Sequence, residues 1–518
     1  MTAESKRARY QVTFAVLAVA VAAYSLLQSL VSPVLGLLAS DLRTSQDSVT
    51  WVLTAYLLSA SVFTPILGRV GDIAGKKRVL VVVLLALAVG SVLAATASSI
   101  GVMIVARAIQ GVGGGVIPLA FSIIRDEFPP EKVGGAVGLI AALLAVGGGL
   151  GTVLAGPIVN ALDYHWLFWI PGGAVVLAAV ATHFVIPESS VRGTGRINWG
   201  AAVLLSGWLV ALLVAISEAP IWGWGSARVI GLIVAAVVLA AGWVAVELRS
   251  AHPLIDMRMM RITAVWTTNL VALLFGAGLY AVFAFLPQFV QTPSLAGYGF
   301  GASITRSGLI MLPMAVAMFI FGVLSGPLAA RIGAKAVVVG GSAVSIAPFA
   351  ILAFAHGRLW EIEIAMLLIG VGFGLVFSAM SNIIVDAVPP GQTGVASGMN
   401  ANIRTIGGAL GSSLMASVVT AGIRPDGLPR ESGYASGFAM LAAAAILATL
   451  AGLLIPTLRR GRSLDQYERV GMLGEEAAMV AGAAVPEDDL LDTAGHDLLS
   501  IAGDELPEQN PPSRRQRQ

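Results

Sequence analysis

The chain contains no cysteine and few charged residues. Among its 518 residues, Asp, Glu, Lys and Arg together make up only 12%. The missing cysteine excludes a disulfide framework, a cysteine-based metal site and a thiol nucleophile. The small charged fraction excludes an ordinary soluble protein of this length, because a soluble surface of that size needs more charged side chains.

Apolar residues make up 57% of the chain, and its mean hydropathy is +0.86. Apolar runs follow one another closely, each near the roughly 20 residues that a helix needs to cross a bilayer. We predict an all-α integral membrane protein with spans at 11–38, 50–67, 79–97, 101–124, 134–160, 166–187, 198–217, 227–247, 263–290, 303–325, 336–355, 359–384, 394–420 and 436–456. These are fourteen spans. Twelve is the alternative if the seventh and eighth are miscounted.

Two regions of the chain repeat one another at a nearly constant distance. Gly68 and Gly75 recur as Gly326 and Gly333, an offset of 258 residues (326 − 68). A second set recurs at an offset of 260 residues, namely Gly138, Gly147 and Gly151 as Gly398, Gly407 and Gly411. A constant offset indicates a duplicated unit, which in membrane chains is typical of transporters. A direct fusion of two six-helix halves would give a shorter offset, so two inserted helices and fourteen spans fit better than twelve.

The repeat predicts two pseudo-symmetric six-helix bundles with two additional central helices between them. The predicted segments are an N-terminal segment at 1–10, the first bundle at 11–190, the inserted helices at 198–247, the second bundle at 263–456 and a tail at 457–518. The tail carries many acidic residues and few apolar runs, so we expect it to be mostly disordered.

Lys and Arg are concentrated in alternate loops, including the clusters at 6–9, 76–78 and 459–462. Loops rich in these residues stay in the cytoplasm. Both termini are therefore predicted to be cytoplasmic. A composition rich in Ala, Gly and Val without Cys is compatible with the inner membrane of a bacterium.

Four motifs follow in chain order: Gly68-x3-Asp72-x2-Gly75-Lys76-Lys77-Arg78, Arg107-x2-Gln110-Gly111, Gly138-x8-Gly147-x3-Gly151-Thr152-x2-Ala155-Gly156, and Trp166-Leu167-Phe168-Trp169-Ile170-Pro171. They resemble motifs of the major facilitator superfamily. The last is similar to the sequence that opens the sixth helix in the fourteen-helix drug:proton antiporter branch. The resemblance covers about residues 10–460. It implies a multidrug exporter that moves drug- or antibiotic-like amphipathic molecules by alternating access and proton antiport, without a cofactor.

The resemblance assigns coupling or gating roles to charged residues. Asp72, with Arg331 in the second copy, would belong to a charge latch at the loop ends; the alternative is that the cluster only fixes the loop inside. The second copy has Ala330 at the Asp position, so the latch should be asymmetric. Arg107, with Gln110 beside it, would act in coupling or substrate binding, or else as a structural hydrogen-bond hub.

Arg107 and Arg404 are the ionisable residues that we place well inside spans. A charge in the membrane is costly unless it is paired or hydrated, so both are functional candidates. Arg404 faces either the cavity or a cytoplasmic polar network.

The fifth-span motif departs from the usual exporter pattern. Its expected Gly-Pro ending is altered, with Pro157 displaced downstream of Gly156. Gly147, Gly151, Gly156 and Pro157 are predicted to permit tight helix packing, with or without a link to the direction of transport.

Tyr24 stands nine residues before Pro33, where the drug exporter branch usually carries Asp. The proton carrier is therefore sought first among Asp41, Glu218 and Asp163 at the outer ends of spans, with Arg107 as the coupled cation. A cavity that contains Arg107 and no buried acid should be positive, which favours anionic or neutral amphipathic substrates.

Polar and aromatic residues expected to line a substrate cavity are Tyr24, Gln28, Trp51, Tyr56, Asn269, Tyr280, Gln288, Gln291, Asn400 and Asn402. We expect a monomer in the lipid bilayer with a small-molecule substrate, no nucleic acid, no metal and no enzyme activity. Two alternatives stay open: an exporter of an anionic metabolite or lipid, and a receptor or scaffold that keeps the fold without transporting.

Overall fold

The computed structural model describes residues 3–44, 46–188, 197–250, 253–389, 392–422, 424 and 428–457. Within these ranges the chain is helical and forms no β-strand. The predicted acidic tail from residue 458 onward, and the arginines at 192 and 196, lie outside the described residues.

The first eight helices form six spans, because two pairs of helices share a span. Their bounds are α1 (Ala3–Ser29), α2 (Leu35–Asp41), α3 (Gln46–Ala74), α4 (Lys76–Ala95), α5 (Ile100–Gly111), α6 (Val116–Glu127), α7 (Pro130–Ala161) and α8 (Trp166–Val185). The short 3₁₀ turn Ser32–Val34 joins α1 to α2, and Val112–Gly115 joins α5 to α6. Helix α1 begins within the predicted N-terminal segment 1–10.

The inserted pair and the second bundle follow. Their bounds are α9 (Trp199–Trp222), α10 (Ala227–Arg249), α11 (Met257–Arg261), α12 (Thr263–Gln291), α13 (Ile304–Ile332), α14 (Ala334–Val344), α15 (Ile346–Phe354), α16 (Leu359–Ala387), α17 (Thr393–Thr420) and α18 (Glu431–Leu453). Helices α14 and α15 share one span.

Thirteen of the described segments are long and apolar enough to cross a membrane. The fourteenth span is α17, whose 28 residues would extend about 42 Å at 1.5 Å per residue. Its composition is more polar than that of the others because it carries two asparagines, an arginine and several serines and glycines. The fourteen-helix, all-α membrane fold is thereby confirmed.

The repeated glycines lie at equivalent contacts in the two bundles. Gly147 of α7 faces α1, where an added Cβ would lie 2.6 Å from the Ser25 Cβ. Its copy Gly407 of α17 faces α12, where an added Cβ would meet the Leu273 carbonyl. Such close approach needs glycine, because a side chain would push the helices apart. The two bundles therefore use the same device to join their first and fifth helices.

The repeat also sets two helix boundaries. Gly75 separates α3 from α4 with φ of 112°, and Gly333 separates α13 from α14 with φ of 89°. Residues with a side chain rarely adopt such positive φ values. The second and third spans of each bundle are therefore joined by the same kind of sharp glycine turn.

The inserted helix α9 contacts both bundles. It packs against α10 and also against α3 and α17. Ser217 of α9 lies 3.4 Å from the Thr54 hydroxyl of α3, and Ser413 of α17 donates a 2.6 Å hydrogen bond to the Ile216 carbonyl. The Trp224 indole, just beyond α9, donates to Ser417 of α17. The inserted pair thus lies beside the junction of the bundles.

Glu247, near the end of α10, fixes the connection to the second bundle. Its buried carboxylate accepts hydrogen bonds from the backbone N–H groups of Leu254 and Ile255 and from the Trp243 indole. Charged acceptors strengthen such bonds and satisfy buried backbone groups. The connection that precedes α11 is therefore held against the inserted helices.

We predict that Gly276→Ala destabilises the protein, because the added methyl group would meet the Arg404 carbonyl at the contact of α12 with α17. Overpacking of this kind costs about 1–3 kcal/mol, so the thermal unfolding midpoint in detergent should fall. Gly340→Ala is the matched control, since nothing lies within 4 Å of its added Cβ. Equal midpoints for the two variants would contradict this account of the contact.

Candidate substrate cavity between the two bundles

A cavity of about 220 Å³ lies between the bundles, near the middle of the spans. Side chains from α1, α3, α5, α6 and α7 line one side, and side chains from α12, α16 and α17 line the other. Those with polar or aromatic groups include Tyr24, Gln28, Tyr56, Arg107, Thr152, Tyr280, Phe283, Phe377, Asn402, Arg404 and Ser412. Mixed apolar and polar lining is typical of small-molecule sites.

Arg107 of α5 is completely buried and lines the cavity. Its Nε donates to the Val52 carbonyl at 3.2 Å, and its Nη1 donates to the Leu27 carbonyl at 3.0 Å. Nη1 also donates to Oε1 of Gln110 at 2.8 Å, and Gln110 in turn donates to Ser91. The guanidinium therefore joins α1, α3, α4 and α5 and has a fixed orientation.

Three tyrosines line the cavity together with Arg107. The Tyr56 ring lies 4.2 Å from the Arg107 Cζ, within cation–π distance. The rings of Tyr24 and Tyr56 stack with centroids 6.3 Å apart. Tyr280 of α12 accepts a 2.9 Å hydrogen bond from Nε2 of Gln28 on α1. This last bond crosses the cavity from one bundle to the other.

Arg404 of α17 lines the same cavity from the second bundle. Its Cζ lies 5.2 Å from the centroid of the Phe377 ring. Tyr24 lines the cavity together with both arginines. The structure thus brings together two arginines that lie almost 300 residues apart in the chain.

The carboxylates that were candidate proton carriers do not reach this cavity. Asp41 is exposed at the end of α2, and Glu218 is half-buried on α9. Asp163 is exposed and lies 3.1 Å from the His165 ring nitrogen. Among the described residues that line the cavity, none is Asp or Glu.

The other predicted substrate contacts lie outside the lining. Asn269 and Asn400 are buried and hydrogen-bonded to each other at 2.8 Å, between α12 and α17. Trp51 and Gln291 are half-buried near helix ends, and Gln288 is exposed. From the predicted set, the structure brings Tyr24, Gln28, Tyr56, Tyr280 and Asn402 to the cavity.

The basic end of the protein is the end formed by the α3–α4 and α13–α14 junctions. There Asp72 is buried against the first turn of α17. A Cβ added to Gly394 in that turn would lie 3.0 Å from the Asp72 carboxylate oxygens. A helix N-terminus carries partial positive charge and attracts a carboxylate. Lys76 lies 3.9 Å from Asp72 but pairs with Asp126 at 2.5 Å.

The second copy of this loop makes a looser contact. An added Cβ at Gly68 would lie 2.7 Å from the Gly394 carbonyl, whereas one at Gly326 would lie 3.8 Å from the Gly135 Cα. Arg331 is exposed at the end of α13.

Two cross-bundle contacts at the basic end were not predicted from the sequence. Nη1 of Arg125, at the end of α6, donates to the Val385 carbonyl at 2.5 Å and to the Thr393 hydroxyl at 2.6 Å. The ion pair of Lys76 with Asp126 lies beside them. In the sequence, only the position of Arg125 in the last turn of a span indicated a role at the helix end. Its hydrogen-bond partners are evident only from the folded structure.

The fifth-span glycines pack in two directions. Gly147 and Gly151 face α1, where Ser29 donates a 3.1 Å hydrogen bond to the Gly147 carbonyl. Gly156 instead faces α13, where an added Cβ would lie 2.7 Å from the Thr305 hydroxyl. Pro157 is exposed. The motif therefore contacts both its own bundle and the opposite one.

Comparison with known sequences decides the family. The profile described as Major Facilitator Superfamily matches residues 17–412. The chain belongs to the major facilitator superfamily. Superfamily members are multi-pass membrane transporters rather than enzymes, and this chain is accordingly a membrane transporter.

Curated relatives in the superfamily include two bacterial resistance proteins. Multidrug resistance protein 3 of Bacillus subtilis is 29% identical over 403 residues, covering 76% of each chain. The tetracenomycin C resistance and export protein of Streptomyces glaucescens is 27% identical over 384 residues, covering 72% of this chain and 69% of the relative. The human organic anion transporter MFSD10 (TETRAN) has a similar fold, with a TM-score of 0.57 and 17% identity over 86% of this chain and 99% of that one.

We predict that Arg125→Met weakens the closure of the basic end, because it removes the hydrogen bonds to Val385 and Thr393. One charged hydrogen bond contributes about 1.5–3 kcal/mol, so the open population should rise by about tenfold or more. The measurement is double electron–electron resonance between spin labels on Ala74→Cys and Ala336→Cys, two exposed positions at this end. The absence of native cysteine makes the labelling specific.

Arg258→Met is the control for this experiment, since Arg258 is an exposed arginine of α11. It should leave the distance distribution unchanged. A distribution in Arg125→Met identical to that of the parent protein would show that these hydrogen bonds do not hold the end closed.

Proposed function

We propose that this protein is a secondary active exporter of amphipathic small molecules, such as drugs or antibiotics, and that it works by alternating access. The observation that carries the proposal is the cavity at mid-depth between two pseudo-symmetric bundles. Its lining combines aromatic rings with two guanidinium groups, which suits a molecule with an apolar body and a polar group. Rocking of the bundles about such a site would expose it to one side of the membrane at a time.

The names of the relatives support export rather than uptake. One relative is called a multidrug resistance protein and another a resistance and export protein, and both align over more than two thirds of their length. The fifth-span glycines retain part of the exporter pattern, and their contacts with α1 and α13 place this motif where the two bundles meet.

The orientation in this proposal follows the distribution of basic residues. The basic end and both termini face the cytoplasm of a bacterial cell, and the protein acts as a monomer in the inner membrane. The contacts of Asp72 and Arg125 with the second bundle then correspond to a state closed towards the cytoplasm.

The energy source in this proposal is the proton gradient, used by antiport without a cofactor. The usual acidic position in the first span is occupied by Tyr24, which lines the cavity together with both arginines. Protons would therefore bind at a carboxylate outside the lining, and Asp41 and Glu218 remain the first candidates. Coupling would pass through the reorientation of the bundles rather than through direct competition at one carboxylate.

We predict that purified protein in liposomes takes up amphipathic molecules when a pH gradient is imposed, and that nigericin abolishes the uptake by collapsing the gradient. Anionic, neutral and cationic compounds are compared, with protein-free liposomes as the control. The variants Glu218→Gln and Asp41→Asn identify the proton site. Uptake by the variant that lacks the proton-carrying carboxylate should no longer depend on the pH gradient. Absence of uptake for every compound would refute export and favour a receptor or scaffold.

A further inference from the structure

The cavity contains two positive charges and no acidic partner. Arginine remains protonated at neutral pH. In the described part of the chain, neither Arg107 nor Arg404 forms an ion pair, and the lining has no carboxylate. Two like charges in a poorly hydrated interior are unfavourable unless an anion accompanies them.

The first arginine still has a free donor. Nε and Nη1 of Arg107 are bound to backbone carbonyls and to Gln110, whereas the buried Nη2 has no hydrogen-bond partner. Hydrogen bonds on the other nitrogens hold the group in place, so the free donor is pre-oriented. A fixed donor of this kind binds an anion at little cost in conformational entropy.

The second bundle contributes a matching set. Both amide atoms of Asn402 are buried without a partner, whichever way the amide is oriented. The Arg404 guanidinium, two residues further along α17, contacts the Phe377 ring, and Tyr280 and Tyr24 line the same cavity. Unsatisfied buried polar groups are rare and indicate a missing partner.

We propose that an anionic group of the substrate binds between Arg107 and Arg404, so that this transporter carries amphipathic anions with a sulfonate, carboxylate or phosphate group. The inference rests on the proposed export function and names its substrate class. Arg107 and Arg404 line the cavity from opposite bundles, so an anion in it has a guanidinium group on either side. Guanidinium groups present several N–H donors in a plane and suit these oxyanions.

The rest of the cavity fits the apolar body of such a molecule. Phe283, Phe377 and Leu279 line it on the side of the second bundle, and Leu57 and Leu144 line it on the other side. Aromatic and aliphatic contacts add affinity in proportion to the apolar area buried. An aromatic body with one anionic group is therefore the expected form of the ligand.

The test measures binding to the full-length protein in nanodiscs of zwitterionic lipid, by isothermal titration calorimetry. The probes share one body and differ in the attached group: pyrene-1-sulfonate, 1-pyrenemethanol and 1-pyrenemethylammonium. Empty nanodiscs correct for partition into lipid. We expect the sulfonate to bind about ten- to a hundred-fold more tightly than the other two, as one or more charged hydrogen bonds would give.

The deciding variant is Arg404→Gln, because the Arg404 side chain contacts the Phe377 ring of α16 and, unlike that of Arg107, donates no hydrogen bond to a described residue. It should weaken sulfonate binding about ten- to a hundred-fold and leave pyrenemethanol binding almost unchanged. Arg404→Lys restores the charge and should recover part of the affinity. Arg228→Gln, which changes an exposed arginine beside Trp222, is the control and should match the parent protein.

Three results would overturn the inference: equal binding of the three probes, sulfonate binding unaffected by Arg404→Gln, or an equal loss for all probes in that variant. The transport assay is separate from this test. Arginine-dependent sulfonate binding without any transport would refute export and keep the anion site. Transport of the ammonium probe without a sulfonate preference would keep export and refute the anion site.

Discussion

A buried guanidinium in a bundle of apolar helices is the constraint around which the first half of the protein is arranged. Arg107 is accommodated inside because its Nε and Nη1 donate to backbone carbonyls of the neighbouring helices α3 and α1 and to Gln110 of its own helix. The Leu27 carbonyl that it binds lies in the last turn of α1, where helix carbonyls lack partners of their own. The end of α1 thus provides a carbonyl that accepts a hydrogen bond from the buried arginine, and the arginine in turn satisfies that carbonyl.

Much of the fold could be predicted from the sequence because it depends on regular spacing. Apolar runs of membrane length located the spans, and the glycine offset required two extra helices between the repeated halves. The structure confirms fourteen spans and pseudo-symmetric bundles. Helix ends were less predictable, since α1 extends to Ala3 beyond the apolar run. Lys and Arg are good helix formers, so the basic residues before the apolar run do not mark a helix end.

The cavity was harder to predict because helical phase cannot be determined from one sequence. Asn400 and Asn402 are two residues apart, which is about 200° around a helix. Asn402 consequently lines the cavity, whereas Asn400 faces α12 and binds Asn269. The partners of Arg125 were equally inaccessible, because Val385 and Thr393 come near it only when the two bundles assemble. Polar character identifies a candidate, and the direction of the side chain decides its role.

Helix α9 has a consequence for the mechanics of the whole protein. Ser217 of α9 contacts α3 of the first bundle. On the other side, Ser413 and Ser417 of α17, in the second bundle, are hydrogen-bonded to α9 and to the residue Trp224 just beyond it. If the bundles rock as the proposed alternating access requires, α9 cannot follow both, so one set of these contacts would have to slide or break in each cycle. Under that proposal the inserted pair resists the relative motion of the bundles, and the strength of its contacts would influence the turnover rate although the pair contributes no residue to the cavity lining.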